Sequence, residues 1–331
     1  RPDPKMHRRL PLSVAIPLLA VTALVLFGLS LTSGSVPLSP GDVAAALWSD
    51  APTPARDVVL ELRLPRALSA FAVGGLLALS GAILLVLLRA PVAAPCVLGV
   101  SGGASVAALV ALMLGLPAAG VDGLAALGAL GACLLVYALA QGPGGWTPTR
   151  LLLTGVVVAA GAGSVVSLLL ALGDETRLRG MVFWLLGDLS RSERWSWLMS
   201  LLAMAAIAGA LLGRQLNVLA RGALQAASVG MDVRRLQVLL FVGSSVLTGS
   251  AVSAAGSIGF IGLVTPHLVR LALGSDNRVV LPAAALLGGV LLMAADLAAR
   301  VLIAPRQLPV GALTALVGVP LFLLLMYRQR S

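Results

Sequence analysis

"GSIGFIGLVTPHLVRLALGSDNRVVLP", residues 256–282, sets a glycine-punctuated apolar run against a short polar turn, and a second apolar run follows. In a chain with only 2 histidines, one of them, His267, stands beside Pro266 inside the first run, and Arg270 closes it. The first run, 259–273, predicts a short membrane helix whose hydrogen bonding Pro266 disrupts, and 279–303 predicts a full-length one. Read outward in both directions, the same pattern fills the chain.

Of 331 residues, 59% are hydrophobic and 11% charged, with a mean hydropathy of +1.02. Those values lie outside the range of soluble domains and leave no room for a sizeable aqueous core. Apolar runs near 12–32, 65–88, 93–115, 118–140, 150–172, 195–213, 235–255, 259–273, 279–303 and 309–327 predict ten transmembrane helices. The expected fold class is therefore all-α, a polytopic membrane protein with a single transmembrane domain over 1–331. The first run follows Arg1, Lys5, Arg8 and Arg9 like a signal peptide. It is long and has no small-residue cleavage pattern, so it is expected to stay as an anchor.

Ten spans put both termini on one side. The loops on that side carry Arg89, Arg150, Arg214, Arg221, Arg234, Arg235, Arg270, Arg278 and the basic termini against few acids, whereas the opposite loops are balanced. The excess of basic residues in the loops of the first side marks it as cytoplasmic and accounts for the net charge of +10, and nothing else supports a nucleic-acid partner. The 2 cysteines, Cys96 and Cys133, have neither metal-ligand spacing nor a disulfide pattern.

Two connections are longer than turns. "RQLNVLARGALQAASVGMDVRR", 214–235, predicts two short interfacial helices bent at Gly222 and Gly230, either a simple surface connector or a platform for a cytoplasmic protein. "GDETRLRGMVFWLLGDLSRSERW", 173–195, holds an apolar core too short to span and predicts a re-entrant or interfacial segment. Trp184, Trp195 and Trp197 fit interface anchors. Small residues in "LGVSGGAS" (98–105) and "TGVVVAAGAGS" (154–164) fit close helix packing, and they fit a pathway wall as well. Ser101, Gly102, Gly161, Gly163, Pro266 and His267 are the candidate pathway or gate residues, and the third span is expected to be broken at its glycines.

"RLPRALSAFAVGGLLALSGAIL" (63–84), "APCVLGVSGGAS" (94–105), the opening stretch, "ADLAAR" (295–300) and "LPVGALTALVGVPLFLLLM" (308–326) resemble, in order, the FecCD family. These are permeases of bacterial importers for ferric siderophores, haem and cobalamin. The resemblance implies a type II ABC importer: two permease copies, two cytoplasmic ATPase subunits that use ATP and Mg, and a periplasmic substrate-binding protein. The permease itself does no chemistry and carries no cofactor. In keeping with that, no G-x-x-x-x-G-K-[ST] phosphate loop occurs in the sequence.

By resemblance, Arg63, Arg66 and Arg300 match positions that receive acidic residues of the binding protein. Exposed guanidiniums at the outer boundary would suit that task, and Arg63 and Arg66 sit three apart so as to share a face. The segment 217–231 matches the coupling helices that seat in the ATPase, with Arg221, Gly222, Ala226, Gly230 and Met231 as candidate contacts. Leu85, Ala90 and Ala94 depart from the more polar family pattern, which weakens any inner-gate role borrowed from those positions.

Haem is the first choice of cargo, because the glycine-rich wall suits a flat apolar ring and His267 is a possible transient iron contact. Ferric siderophore and cobalamin are the alternatives. More remote are an ion-coupled secondary transporter using Asp296, which an i+4 pair with Arg300 speaks against, and an intramembrane serine protease built from Ser101 and His267.

Overall fold

The computed structural model describes residues 11–34, 37–49, 53–89, 99–142, 146–190 and 194–328, and every regular element among them is helical. α1 (Leu12–Thr32) is followed by α2 (Pro40–Trp48), α3 (Pro54–Asp57), a π-wound turn over Val58–Arg63, and α4 (Leu64–Leu88). Then come α5 (Val100–Met113), α6 (Ala118–Ala140), α7 (Pro148–Leu172), α8 (Glu175–Leu185) and α9 (Trp195–Arg221). The chain finishes with α10 (Ala223–Ser228), α11 (Val233–Ala255), α12 (Ile261–Leu273), α13 (Asn277–Val301) and α14 (Val310–Arg328). Eight of the described helical runs are long and apolar enough to cross a bilayer, and α5 and α12 are shorter apolar helices. Together they account for the ten predicted runs. Cys96, His7, Ala90 and Ala94 lie outside the described residues.

α4 is the axis of the molecule. Of its most apolar stretch 94% is buried, against 6% for α1 and for α7. It packs on α13, α11, α9 and α12. Between helices in lipid there is no hydrophobic drive, so small residues that let backbones touch replace it. A methyl group on Gly74 would overlap the Gly288 carbonyl of α13, and one on Gly288 would overlap that of Gly74. Further along α4, Gly81 lies against the Gly262 carbonyl of α12. That carbonyl has no helical N–H to accept, because Pro266, four residues on, lacks one. Polar contacts add to the packing: the Ser80 hydroxyl is 2.7 Å from that of Thr248 on α11 and donates to the Ser244 carbonyl at 2.9 Å.

Several expectations change at this level. The predicted third run is interrupted at Gly99, whose left-handed backbone (φ 76°) precedes α5, but α5 runs through Gly102 and Gly103 without a break, since Gly103 sits against Gly128 of α6 as Gly74 does against Gly288. α12 likewise continues through Pro266. The interruption lies upstream, at 256–260, where Gly256 (φ 72°) and Phe260 (φ 66°) adopt left-handed backbone. α9 does not stop near 213 but runs on to Arg221, so one short helix, α10, follows it instead of two. In the 173–195 segment, the 11-residue α8 is too short to span. Its C-terminal end is tied to the α12 interruption by Asp188 N donating to Ala255 O at 2.9 Å, and to the start of α14 by Val310 N donating to Gly187 O at 3.2 Å.

Candidate functional site: an arginine pocket and an elbow at opposite ends of one helix

The arginine pocket forms where α1 ends and α4 begins. Arg63 closes the π-wound turn, and Pro65 follows in the first turn of α4, which continues the same helical run. Although three residues apart, the two arginines serve different helices. Arg63 Nη1 donates to the carbonyls of Leu31 and Thr32 at 2.7 and 2.9 Å, capping the C-terminal end of α1 with positive charge. Arg66 turns to α13, with Nε and Nη2 each 2.9 Å from Asp296 Oδ1, and Nη1 donates to Gln307 Oε1 at 2.8 Å.

Arg300 completes the group. Its Nη2 donates to Ser30 Oγ at 2.9 Å, and its Nε lies 3.1 Å from Asp296 Oδ2. That second contact is an ion pair without the alignment of a hydrogen bond. Asp296 is fully buried, so the acid weighed for ion coupling is held between two guanidiniums. All three arginines border an open pocket of about 320 Å³. Among the described residues, three positive charges line it against the one carboxylate of Asp296, so that lining is cationic.

The expectation of exposed guanidiniums is corrected. Arg63 and Arg300 are only 6% and 7% exposed, because their N–H groups satisfy α1's last turn. What remains open is the pocket they line. Sequence reasoning missed Ser30, Gln307 and the Arg66 contact of Asp296. The motifs "RLPR" and "ADLAAR" were visible, but their pairing spans 230 residues and leaves no local signature.

At the other end of α4, Arg89 terminates the helix in left-handed backbone (φ 49°), and its Nη2 donates to the Leu219 carbonyl of α9 at 2.9 Å. This joins the central helix to the last turn before the elbow. Arg221 ends α9, Gly222 turns the chain at φ 148°, and α10 follows. Gly230 makes the second turn at φ 82°, and Met231 N donates back to Ala226 O at 3.2 Å.

Ala226 is completely buried and is therefore corrected from a contact candidate to an anchor of α10. The groups that protrude are Leu224, 88% exposed, and Val229, 69% exposed. Neither had been singled out, because a six-residue helix is too short for its buried face to be read from periodicity.

The pathway candidates separate. α5 packs on α6, α7 and α11, while α12 packs on α4, α13 and α14. Ser101 is buried and its hydroxyl has no hydrogen-bond partner among the described residues. His267 Nδ1 lies 2.8 Å from the Leu263 carbonyl, an acceptor only, so Nδ1 carries a proton. The imidazole edge meets Phe322 of α14 at 5.8 Å, with the planes at 84°. The Ser–His dyad is absent from this arrangement. Gly102 packs on Ala162 of α7, whereas among the described residues nothing lies within 4 Å of a methyl placed on Gly161 or Gly163. Close packing among the described residues therefore explains the first glycine and not the other two.

A bundle of apolar helices with these termini is the fold of a transporter permease of the type II ABC importer class. The chain belongs to the FecCD transport family, whose model matches residues 22–328. It is 41% identical to a cobalamin import system permease protein of Halobacterium salinarum over 320 residues, 95% of this chain and 85% of that one. It is 39% identical to a hemin transport system permease protein of Yersinia pestis over 338 residues, 99% of this chain and 98% of that one. Among solved structures, an inward-facing transporter of metal-chelate type superposes with a TM-score of 0.84 at 29% identity, covering 96% of this chain and 99% of the other. Members of the family are transport subunits and not enzymes, and ATP hydrolysis belongs to a separate subunit.

Proposed function

We propose that this chain is the membrane subunit of an ATP-driven importer that moves haem across the bacterial inner membrane by alternating access. In this reading two copies enclose the pathway, two ATPase subunits bind ATP and Mg on the cytoplasmic side, and a periplasmic binding protein delivers the cargo. Both termini are cytoplasmic, as the basic bias of that end requires. The observation that carries the proposal is the placement of the cationic pocket and the elbow at opposite ends of one buried helix, α4. Carboxylates of a binding protein would enter the pocket and compete with Asp296 for guanidinium N–H groups, while Leu224 and Val229 would seat in the ATPase. Rigid-body movement of such an element is what alternating access needs.

The similarity to a hemin permease over nearly its whole length supports a haem cargo. Gly161 and Gly163 offer a smooth, unfilled face to a flat ring. His267 works as a packing group between α12 and α14, and the cargo passes without an iron ligand from it. Cobalamin is the second reading, favoured by the 41% identity to a cobalamin permease. The experiment reconstitutes the permease with its ATPase and measures ATP hydrolysis stimulated by binding protein loaded with haem, cobalamin or a ferric siderophore. Stimulation by the haem-loaded form is expected, and stimulation by the cobalamin form alone would transfer the assignment.

A further inference from the structure

At the elbow end α9 outlasts the membrane. Its 27 residues extend about 40 Å, against a hydrocarbon core of roughly 30 Å. One face of it carries Met204, Ile207 and Leu211, exposed at 61%, 63% and 76%. Their i, i+3, i+7 spacing makes a continuous apolar line, and the same line continues into Arg214 and Arg221.

The neighbouring wall is the start of α13. Gly213 closes so tightly on Arg278 that a methyl there would fall 2.8 Å from the Arg278 Cα. Beyond this crossing α9 runs on alone past the start of α13, and Arg214, Arg221 and Arg278 border an open cleft of about 670 Å³ with Asn217 and Asp276 in its lining. All three arginines are exposed, and none has an ion pair among those found in the described residues.

The one acid of the cleft is already engaged. Asp276 accepts from Asn217 Nδ2 at 2.7 Å and from Arg278 N at 3.0 Å, bonds that hold its carboxyl below the usual carboxylate range. Asn217 Oδ1 in turn accepts from Asn277 N and Nδ2 at 2.8 and 2.9 Å, so the lining is fixed, and three positive charges outnumber the one negative charge of Asp276.

We propose that this cleft seats the phosphodiester headgroup of an anionic glycerophospholipid, with an acyl chain lying along Met204, Ile207 and Leu211. An apolar line that leads into a cluster of guanidiniums at the membrane boundary matches an amphiphile, where a soluble acidic protein would leave the line unused. Arginine brings planar, multi-donor recognition of phosphate oxygens, which a lysine end-group does not.

The test uses the full chain purified in mild detergent, with native mass spectrometry of lipid retained after mixing with phosphatidylglycerol or phosphatidylcholine. Phosphatidylglycerol is expected to stay bound preferentially. Arg214→Gln and Arg278→Gln should each lower its occupancy about fivefold. Arg235→Gln, at the same end but outside the cleft, should leave it unchanged, and the apolar-line variant Leu211→Gln should lower it as well. Equal retention of phosphatidylcholine would overturn the proposal, as would an equal loss in Arg235→Gln. Displacement of the lipid by millimolar inorganic phosphate alone would make the cleft a plain anion site. If the double variant Arg214→Gln/Arg278→Gln retained lipid but lost its co-purifying ATPase, the cleft would be a protein-docking surface.

Discussion

Asp296 and Arg66 lie 230 positions apart in the sequence, yet the buried carboxylate meets the guanidinium Nε and Nη2 at 2.9 Å each, and Arg300 takes its other oxygen. Asp296→Asn would leave these guanidiniums buried without a counter-charge. Removing one partner of a buried pair costs about 3–5 kcal/mol. The variant should therefore unfold at a clearly lower temperature in detergent. A melting curve unchanged from the wild type would rule out this account of the pocket.

Leu224→Ser should behave differently. The side chain is 88% exposed, so thermal stability is expected to stay within about 0.5 kcal/mol of the wild type. ATPase association, followed by co-purification, should fall. Ala226→Leu gives the contrast, because overpacking a fully buried site costs roughly 1–3 kcal/mol and should destabilise the elbow itself.

Arg89→Gln removes the bond from α4 to the Leu219 carbonyl. Binding of the ATPase is expected to persist, since Leu224 and Val229 remain in place. Stimulation of ATP hydrolysis by the loaded binding protein should drop several-fold. Full stimulation in the variant would show that the elbow receives its signal by another route.

His267→Ala should retain most transport of the cargo per folded molecule while unfolding more readily, because the imidazole packs on Phe322 and donates to Leu263 O. Loss of transport with unimpaired stability would reinstate the histidine as a cargo contact.

The ten spans were legible because each is a run of apolar residues long enough to stand out, and the two short ones, α5 and α12, still showed as apolar. What hid was geometry set by neighbours. Pro266 drew attention as a helix breaker, but its unpartnered acceptor is the Gly262 carbonyl, which fits against Gly81, so the helix continues and the backbone turns at Gly256 and Phe260 instead. The arginines of the pocket were legible as residues and illegible as a cluster, because their partners Ser30, Asp296 and Gln307 come from distant parts of the chain. Gly102 and Gly161 look alike in sequence. Only the fold separates the one filled by Ala162 from the one left open.

Between Arg66 and Arg89, α4 extends about 35 Å without a break, and Gly74 and Gly81 hold its middle against α13 and α12. Between those two contacts Leu76, Leu77 and Leu79 are buried as well, so the helix is held as one stiff piece that tilts more readily than it bends. Tilting carries its two ends in opposite directions, as in a balance beam. A push on the arginine end would thus arrive at the elbow with its sense reversed, and the two faces of the membrane would open in turn and never together.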